Sequence, residues 1–384
     1  MYSSKLVNQV LLSFSPSYKK YREDLSALLL TPDNNLWLAS DETSAIERLS
    51  YIERDKFAEH KQFRVGSFIN LPAPEDEEID IEGLAYTDNY LWFVGSHSYK
   101  RKKAKSNKTK TENIQRLSTV VSEANRYILG RIPLINGELL PSCQHPQESN
   151  CQLTAAKLQV TDRGNVLIEA LEKDPHLGIF VKAAIPSKDN GLDIEGIVVN
   201  GNRIFLGLRG PVLRGWAVIL ELEIGDTAPG IMNLLSEEGK LYKKHFVYLH
   251  GLGIRDLYQD GNDLLILAGP TMDLDGPVHL YRFQNGMNLS EDSFNEPEVI
   301  LDIPYGEGDD HAEGVTLFEQ VTGIPSVLII YDSPQEQRLV NESGILGDVF
   351  DLRGGNHESV SGGSFSLRQI FEKILKFSQV VLRN

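Results

Sequence analysis

The stretch Gly191-Leu192-Asp193-Ile194-Glu195-Gly196-Ile197-Val198-Val199 is followed by Asn200-Gly201-Asn202 and then by Arg203-Ile204-Phe205-Leu206-Gly207-Leu208-Arg209-Gly210-Pro211. The Asn-Gly pair supplies the positive φ angles of a tight hairpin turn, and the β-branched and aromatic residues on both sides favour an extended chain. The pattern predicts strand, turn and strand. Because the two strands are antiparallel, the acidic start of the first and the Leu-Arg-Gly-Pro end of the second meet at one edge of the sheet. We expect any chemistry at that edge.

The same unit recurs along the chain. Further copies begin near Asp24, Asp80, Ile254 and His311, and Lys157–Ile168 aligns without a gap with Ala27–Leu38. The positions equivalent to Glu195 are Ser26, Glu82, Ala156, Glu195, Arg255 and Glu313, spaced about 57 residues apart on average. A fixed period built from three or four short strands is typical of a propeller blade. The sequence therefore predicts an all-β fold, a six-bladed β-propeller.

A propeller must close its ring, because an open edge strand invites aggregation. The run Gln9–Phe14 precedes the first repeat and has no partner of its own, so we expect this N-terminal strand to complete the last blade and close the ring. The segment Phe365–Phe371 could compete for that role or continue as a short helix through Leu375. Since the period covers nearly the whole chain, a single domain over residues 1–384 is expected.

The composition, 41% hydrophobic and 24% charged, is that of an ordinary soluble globular protein. No apolar run approaches the ~20 residues of a membrane-spanning helix. Met1–Phe14 lacks the pattern of a secretory signal, which predicts a cytoplasmic protein without membrane attachment. In a reducing compartment Cys143 and Cys151 are expected to be free thiols, and two cysteines do not make a zinc site.

Charge is distributed unevenly. The net charge of −16 argues against a duplex-binding surface, so a nucleic-acid partner is not expected. Tyr99–Lys110, however, carries seven basic residues and no acidic one, inside an insertion of the second blade at about 99–126. Behind it Ile114, Leu117 and Val121 have helical spacing. A solvated, mobile insertion is the favoured interpretation, and an electrostatic arm for an anionic ligand or nucleic acid is the alternative.

In a propeller the innermost strands line the central channel, so residues at one repeat position form a ring. Three carboxylates in that ring, on Glu82, Glu195 and Glu313, repel one another unless a cation, a proton or a guanidinium lies between them. Ca²⁺ with these three glutamates as ligands is one solution. Pairing with Arg209 and Arg255 is the other, and it leaves a structural network or an anion clamp.

The candidate site residues follow from this ring and its neighbours. The candidate catalytic residues are Glu82, Glu195, Glu313, His97 and His311, and the candidate ligand-binding residues are Arg209, Arg255, Asp193 and Asp256. The Glu-Gly pairs and the aspartates at the strand starts also have a purely structural interpretation. Glycine after glutamate permits close packing near the axis, and aspartate before a strand caps a turn. We predict that Arg209 or Arg255 contacts one of these carboxylates directly and that both line a polar pocket.

The chain resembles the bacterial propellers classed as domain of unknown function 3616. The likeness rests on Asp189–Gly196, Gly207–Trp216, Gly251–Leu257 and His311–Gly314, and covers roughly Leu25 to Leu352. This resemblance implies a fold and no activity. The Glu-Gly strand starts and Glu172–Pro175 are similar, more distantly, to phytase-like esterase propellers, and the Glu-Gly feature alone to calcium-dependent lactonases. Those relatives imply metal-assisted hydrolysis of an ester, lactone or phosphoester, but Ala156 and Arg255 depart from their carboxylate pattern.

The sequence therefore predicts a small anionic or oxygen-rich ligand at the channel mouth, with Ca²⁺ as the candidate cofactor. If the protein is an enzyme, it is expected to be a hydrolase. A non-catalytic interaction scaffold is the alternative, and binding of an anionic partner through the basic insertion is a second one. The oligomeric state is left open.

Overall fold

The structure, a computed structural model, describes residues 6–353. Its helices are short: α1 (Lys110–Leu117), α2 (Val166–Leu171), α3 (Gly178–Lys182) and α4 (Glu319–Thr322). The strands of the first half are β1 (Leu6–Ser13), β2 (Leu25–Leu30), β3 (Asn35–Ser40), β4 (Ala45–Glu53), β5 (Lys56–Arg64), β6 (Ile81–Thr87), β7 (Tyr90–Gly95), β8 (Lys100–Arg101), β9 (Val120–Val121), β10 (Leu129–Ile135), β11 (Glu138–Leu139), β12 (Ser142–Gln144), β13 (Gln152–Thr154), β14 (Ala156–Leu158), β15 (Val160–Thr161) and β16 (Gly164–Asn165). Those of the second half are β17 (Asp193–Asn200), β18 (Arg203–Gly210), β19 (Trp216–Ala228), β20 (Ile231–Leu234), β21 (Tyr242–Tyr248), β22 (Gly253–Asp260), β23 (Asp263–Gly269), β24 (Val278–Phe283), β25 (Ser293–Asn295), β26 (Glu298–Ile303), β27 (His311–Leu317), β28 (Ser326–Asp332), β29 (Leu339–Val340) and β30 (Gly344–Asp351).

Most strands pair into four-stranded antiparallel units, of which residues 6–353 form five. They are sheet 1 (β2-β3-β4-β5), sheet 2 (β6-β7-β10-β14), sheet 3 (β17-β18-β19-β21), sheet 4 (β22-β23-β24-β26) and sheet 5 (β27-β28-β30-β1). The first strand of each sheet contacts the first strand of the next sheet, and β27 contacts β2. The five sheets therefore surround one axis, in a β-propeller-like arrangement.

The core lies between neighbouring sheets. Each of the five apolar clusters in the described residues joins two adjacent sheets, and the cluster between sheets 2 and 3 also takes in α2 and α3. Trp37, Phe205 and Tyr281 are among the fully buried side chains of these clusters. Sheets 5 and 1 are joined in the same way as the others, by residues such as Leu12 and Phe57.

The predicted position of the N-terminal run is confirmed. Strand β1 pairs antiparallel with β30 from Leu6 to Ser13, so it is the outermost strand of sheet 5, and it also meets β5 of sheet 1 in parallel. The segment Phe365–Phe371, considered as a competing closing strand or a short helix, lies outside the described residues. The compact unit extends to Leu352, and a single domain over residues 1–384 stays a prediction.

The sixth repeat predicted at Lys157–Ile168 is wrong. Ala156 lies in β14, the outer strand of sheet 2, opposite Arg131, and therefore does not face the axis. After it the chain forms the two-residue strands β15 and β16 and enters helix α2. The Asn165 side chain accepts hydrogen bonds from the backbone N–H of Leu167 and Ile168, which caps the helix. The apolar run that indicated a strand instead buries Leu167, Ile168 and Leu171 on one helical face.

The glycine after each ring glutamate has a packing role. A Cβ atom on Gly196 would lie 2.8 Å from the backbone nitrogen of Leu257, and one on Gly314 would lie 2.9 Å from Cβ of Leu28. Both neighbours belong to the next inner strand. The absence of a side chain thus allows adjacent inner strands to approach closely around the axis, as the structural alternative for glycine proposed.

We predict that Gly196→Ala lowers the free energy of unfolding by about 1–3 kcal/mol, because an added methyl group must displace the backbone of β22. Urea denaturation measures this change. Gly225→Ala is the matched control, since its Cβ would meet only the side chain of the exposed Leu235, at 3.2 Å. An equal effect in both variants would contradict the packing role.

Candidate functional site

The ring residues are placed by a repeated irregularity of the inner strands. The inner strands are the first strands of the five sheets: β2, β6, β17, β22 and β27. In each of them one residue is skipped in the pairing with the second strand of the same sheet, which is the mark of a β-bulge. The skipped residues are Ser26, Glu82, Glu195, Arg255 and Glu313. A bulge re-aims a side chain and frees it from the ladder. The fold thereby brings the three glutamates and Arg255 to the same end of the axis.

Arg209 is held among carboxylates. It is itself skipped in the pairing of β18 with β17, opposite the bulge that carries Glu195. Its Nη1 donates a 2.6 Å hydrogen bond to Oε1 of Glu195 and lies 3.6 Å from Oδ2 of Asp193. Its Nε donates to the carbonyl oxygen of Thr271 at 3.0 Å. The guanidinium is buried, so these bonds replace its lost hydration.

Arg255 makes the equivalent contact one sheet further on. Its Nη1 is paired with Oε1 of Glu313 and lies 3.5 Å from Oε2 of Glu195, and its Nη2 donates to the carbonyl oxygen of Pro270 at 3.0 Å. Both arginines line one small pocket together with Glu313 and His311, and apolar residues such as Met272 and Leu274 complete its wall. The predicted contacts between arginine and carboxylate are therefore present for both residues.

A third guanidinium, Arg126, was not predicted. It precedes β10 and donates to Oε1 of Glu78 and to Oγ of Ser98, each at 2.9 Å, and it is paired with Asp80. No repeat position marks it, because it comes from the loop before a third strand. Asp41 was also missed, although it follows the end of the second strand of the first repeat, and Arg209 was predicted from the corresponding end in its own repeat.

Two carboxyl groups at this end of the axis lack a cation. Among the described residues Glu82 makes no hydrogen bond or ion pair, and Oδ1 of Asp41 is buried without a hydrogen-bond partner. Burial, with neighbouring Asp80 and Glu195, raises the pKa of Glu82 well above its ordinary value. Burial, with Asp80 and Asp332, raises the pKa of Asp41 to about 9. Asp41 therefore tends to bind a proton at neutral pH, and Glu82 keeps its proton to a higher pH than an exposed glutamate does.

We predict that Glu82→Gln stabilises the protein increasingly as the pH rises. Because the pKa of Glu82 is higher in the folded than in the unfolded protein, its stability contribution is fully present below the ordinary glutamate pKa and is lost as the pH rises above it. The gain should therefore be larger at pH 8 than at pH 5. Thermal melts between pH 5 and pH 8 measure it. The exposed Glu53→Gln is the control, and a gain that shrinks with pH would contradict the prediction.

These groups surround a cavity of about 930 Å³. We call it the axial cavity. Its lining includes Glu82, Glu195, Glu313, Asp193, Asp41, Arg126 and Arg209, and also residues 100–105 of the insertion. Oε2 of Glu195, a residue that is only 2% exposed, makes no hydrogen bond, and its ion-pair partner Nη1 of Arg255 lies 3.5 Å away. The axial cavity thus presents carboxylate oxygens that have unused capacity to accept hydrogen bonds.

The carboxylates do not form a ready metal centre. Within residues 6–353 no three His, Cys, Asp or Glu side chains converge as metal ligands. Glu195 and Glu313, two of the three predicted calcium ligands, each accept a hydrogen bond from an arginine. Guanidinium pairing is therefore the arrangement that these residues adopt, and Ca²⁺ as cofactor stays a prediction.

The remaining candidates lie in different surroundings. His97 is buried beside a separate cavity. Its Nδ1 makes a 2.6 Å hydrogen bond with the carbonyl oxygen of Gly95, and its Nε2 lies 2.7 Å from Nδ2 of Asn165. Burial lowers the pKa of His97 to about 4. His311 is partly exposed, and its hydrogen bond with Asp332 raises its pKa.

The Asp256 carboxylate accepts hydrogen bonds from the backbone N–H of Leu257 and Val315, both at 2.8 Å. Asp256 thus links two inner strands.

Two other sequence predictions concern the periphery. Cys143 and Cys151 are free thiols, as expected. No helix within residues 6–353 is long and apolar enough to cross a lipid bilayer. Cytoplasmic localisation stays a prediction.

Fold and site together define the class: an all-β, propeller-like protein whose inner-strand bulges hold a buried network of carboxylates and guanidinium groups at one end of the axis. Within this class, the family model described as "Protein of unknown function (DUF3616)" matches residues 24–348. The chain belongs to this family, as the sequence indicated. No curated protein matches the chain.

Solved structures with a similar course of the chain include three enzymes. Virginiamycin B lyase from Staphylococcus aureus is 8% identical with a TM-score of 0.34, and the match covers 89% of this chain and 99% of that one. PQQ-bound aldose sugar dehydrogenase from Streptomyces coelicolor is 11% identical with a TM-score of 0.36 over 91% and 98%. A mannose phosphorylase from Leishmania mexicana, in complex with phosphate, is 12% identical with a TM-score of 0.38 over 91% and 89%. Similarities this distant do not bear on the activity of the chain.

Proposed function

We propose that this protein is a five-bladed propeller, closed through β1 and β30, that binds a small, oxygen-rich molecule in the axial cavity. A cavity of about 930 Å³ is of the size that holds a small metabolite. The ligand would approach the inner-strand bulges, where Glu82, Glu195 and Glu313 lie.

One observation carries this proposal. Glu82 and Glu195 both line the axial cavity. Among the described residues the Glu82 carboxyl group makes no hydrogen bond or ion pair, and Oε2 of Glu195 makes no hydrogen bond and lies 3.5 Å from Nη1 of Arg255, while Arg126 and Arg209 already have carboxylate partners. A buried acceptor without a partner costs about 1–3 kcal/mol. A ligand that brings hydroxyl or amine donors would recover this free energy. Polyhydroxy molecules supply several such donors in a small volume.

Hydrolysis in the same cavity is a second candidate. Burial raises the pKa of Glu313 to about 7 against the opposing effect of Arg255, and burial also raises the pKa of Glu82 well above its ordinary value. A carboxyl group that titrates near neutrality can act as a general base, and one that stays protonated can act as a general acid. This pair would suit cleavage of an ester, lactone or phosphoester. If Ca²⁺ takes part, it would compete with Arg209 and Arg255 for Glu195 and Glu313.

Thermal melting with a defined set of compounds tests the proposal. The set comprises gluconate, gluconolactone, inorganic phosphate, spermidine, calcium chloride and a chelator. A ligand that binds the folded state raises the melting temperature by mass action. We expect a polyhydroxy compound to do so in the native protein and in the surface control Glu238→Gln, but not in Glu82→Gln or Glu195→Gln. No shift with any compound, or a shift retained in both cavity variants, would overturn the proposal.

Activity measurements on the same variants separate the two candidates. Turnover of a p-nitrophenyl ester, a lactone or a phosphomonoester that is lost in Glu82→Gln and Glu313→Gln would establish hydrolysis. Binding without turnover would establish a binding protein. A calcium-dependent shift lost in the three glutamate variants would establish the metal. If neither binding nor turnover is found, the interaction scaffold becomes the better account.

A further inference from the structure

The basic insertion between β7 and β10 lies over the axial cavity. Residues 100–105, together with Arg116, Leu117 and Val121, line the same cavity as Glu82 and Glu195. The favoured sequence interpretation, a solvated and mobile segment, did not place these residues near the ring. The structure instead sets the most basic segment of the chain against its densest group of carboxylates.

The insertion is folded by its own contacts. Strands β8 and β9 pair with each other, and helix α1 begins with a capping box between Thr109 and Glu112. The Nε of Arg116 donates to the carbonyl oxygen of Lys103 at 2.7 Å, and the backbone N–H of Lys105 donates to Oδ1 of Asn113 at 2.9 Å. Helix α1 buries no side chain. The insertion therefore has a defined shape without contributing to the apolar core.

Polar contacts join the insertion to the sheets. Lys100 is paired with Glu78, the Nε of Arg101 donates to Oδ2 of Asp189 at 2.7 Å, and the backbone N–H of Ser187 donates to the carbonyl oxygen of Tyr99 at 2.9 Å. Side chains of both ion pairs are partly exposed. Such pairs contribute little stability and are screened by salt. The side-chain contacts that anchor the insertion are therefore weak and sensitive to salt.

Three lysines of the insertion have no acidic partner. Lys102, Lys103 and Lys105 line the axial cavity, yet within the described residues none lies within 4.0 Å of a carboxylate oxygen. The arginines of the cavity, in contrast, are already paired. The cavity thus combines unpaired carboxyl groups at the inner strands with unpaired ammonium groups on the insertion.

We infer that the insertion is a salt-bridged lid that completes the axial cavity and supplies its anion-binding half. Lys102, Lys103 and Lys105 bind the carboxylate or phosphate group of a small polyhydroxy molecule whose hydroxyl groups donate to Glu82 and Glu195. This assignment rests on the proposed function and adds the charge of the ligand to it. The lid itself can be tested without any ligand.

The first experiment measures access to the cavity. A single thiol is placed at the inner strands by Glu82→Cys in a Cys143→Ser, Cys151→Ser background, and its rate of reaction with N-ethylmaleimide is followed. Two changes should open the lid: the pair Glu78→Gln and Asp189→Asn, which removes the anchors, and replacement of residues 102–118 by Gly-Gly. With either change the reaction rate should rise about tenfold, which corresponds to a closure weaker by 1.4 kcal/mol. About 0.5 M salt should raise the rate with the lid present and not without it. Asn200→Cys, an exposed position outside the cavity, is the control. Equal rates with and without residues 102–118 would overturn the lid.

The second experiment tests the anion-binding half. The experiment compares two triple variants. The cavity variant carries Lys102→Gln, Lys103→Gln and Lys105→Gln. The control variant carries Lys19→Gln, Lys20→Gln and Lys240→Gln, and so removes the same charge from exposed positions outside the cavity. Gluconate and inorganic phosphate are the probes, and the melting temperature is the readout. We expect at least one probe to raise the melting temperature of the native protein and of the control variant but not that of the variant changed at Lys102, Lys103 and Lys105. The probe that does so shows whether the site prefers a carboxylate or a phosphate group. Stabilisation by neither, or equal stabilisation of both variants, overturns this half. The Glu82→Gln and Glu195→Gln melts judge the proposed function separately.

Discussion

Replacing Arg209 by methionine should lower the free energy of unfolding by about 3–5 kcal/mol at pH 7, because it removes the hydrogen-bonded cation of a buried ion pair and leaves Glu195 with only its 3.5 Å contact to Arg255. Arg209 donates to Glu195 at 2.6 Å and lies 3.6 Å from Asp193, and all three side chains are less than 10% exposed. Methionine keeps most of the side-chain volume, so the change chiefly removes charge and hydrogen bonds. Urea denaturation followed by circular dichroism measures the loss.

Two comparisons make this prediction specific. Arg131→Met removes the ion pair with Asp226, a partner that is 58% exposed, and the cation–π contacts with Tyr90 and Trp92, and should cost about 1–2 kcal/mol. The double variant Arg209→Met, Glu195→Gln should cost less than Arg209→Met alone, since it no longer buries a glutamate that has lost its hydrogen-bonded cation. Equal losses in Arg209→Met and Arg131→Met would show that Arg209 is not the central cation of this network.

Asp256→Ala should lower the free energy of unfolding by about 2–5 kcal/mol, because it leaves two buried N–H groups without acceptors at about 1–3 kcal/mol each. The carboxylate accepts hydrogen bonds from the backbone N–H of Leu257, in its own strand, and of Val315, in the next inner strand. It therefore fastens sheet 4 to sheet 5 near the axis.

The matched control lies in the same strand. Asp260→Ala removes a partly exposed partner of Arg282 and should cost less than about 1 kcal/mol. Amide hydrogen exchange adds a local readout, since the Val315 N–H should exchange faster in Asp256→Ala and not in Asp260→Ala. Unchanged exchange at Val315 would contradict the role assigned to Asp256.

Much of the fold could be predicted because local chemistry repeats. The hairpin around Asn200-Gly201 and its counterparts mark the inner strands, and the position of Glu195 in the repeat is also the position of the bulge. The same reasoning failed at Val166–Ile168, where three consecutive apolar residues suit a strand or a helix equally well. The cap by Asn165 decides for the helix, and its signal was available in the sequence.

The site could be predicted less completely than the fold. Arg209 and Arg255 were placed near the glutamates because strand ends at one edge must meet. Arg126 reaches the same network from an irregular loop, and no spacing rule relates that loop to the ring. The insertion meets the sheets through contacts such as that of Arg101 with Asp189, which lies 88 residues away in the sequence. Contacts of this kind depend on tertiary structure and leave no local pattern.

The bulges have a consequence for how such a protein can change over evolution. The skipped residue of each inner strand has no ladder partner, and across the five strands it is a serine, three glutamates and an arginine within one architecture. Selection can therefore exchange the chemical groups at these positions one at a time while the strands continue to pair as before. For the same reason, a combinatorial library restricted to these five positions is a practical starting point for giving this scaffold a new ligand.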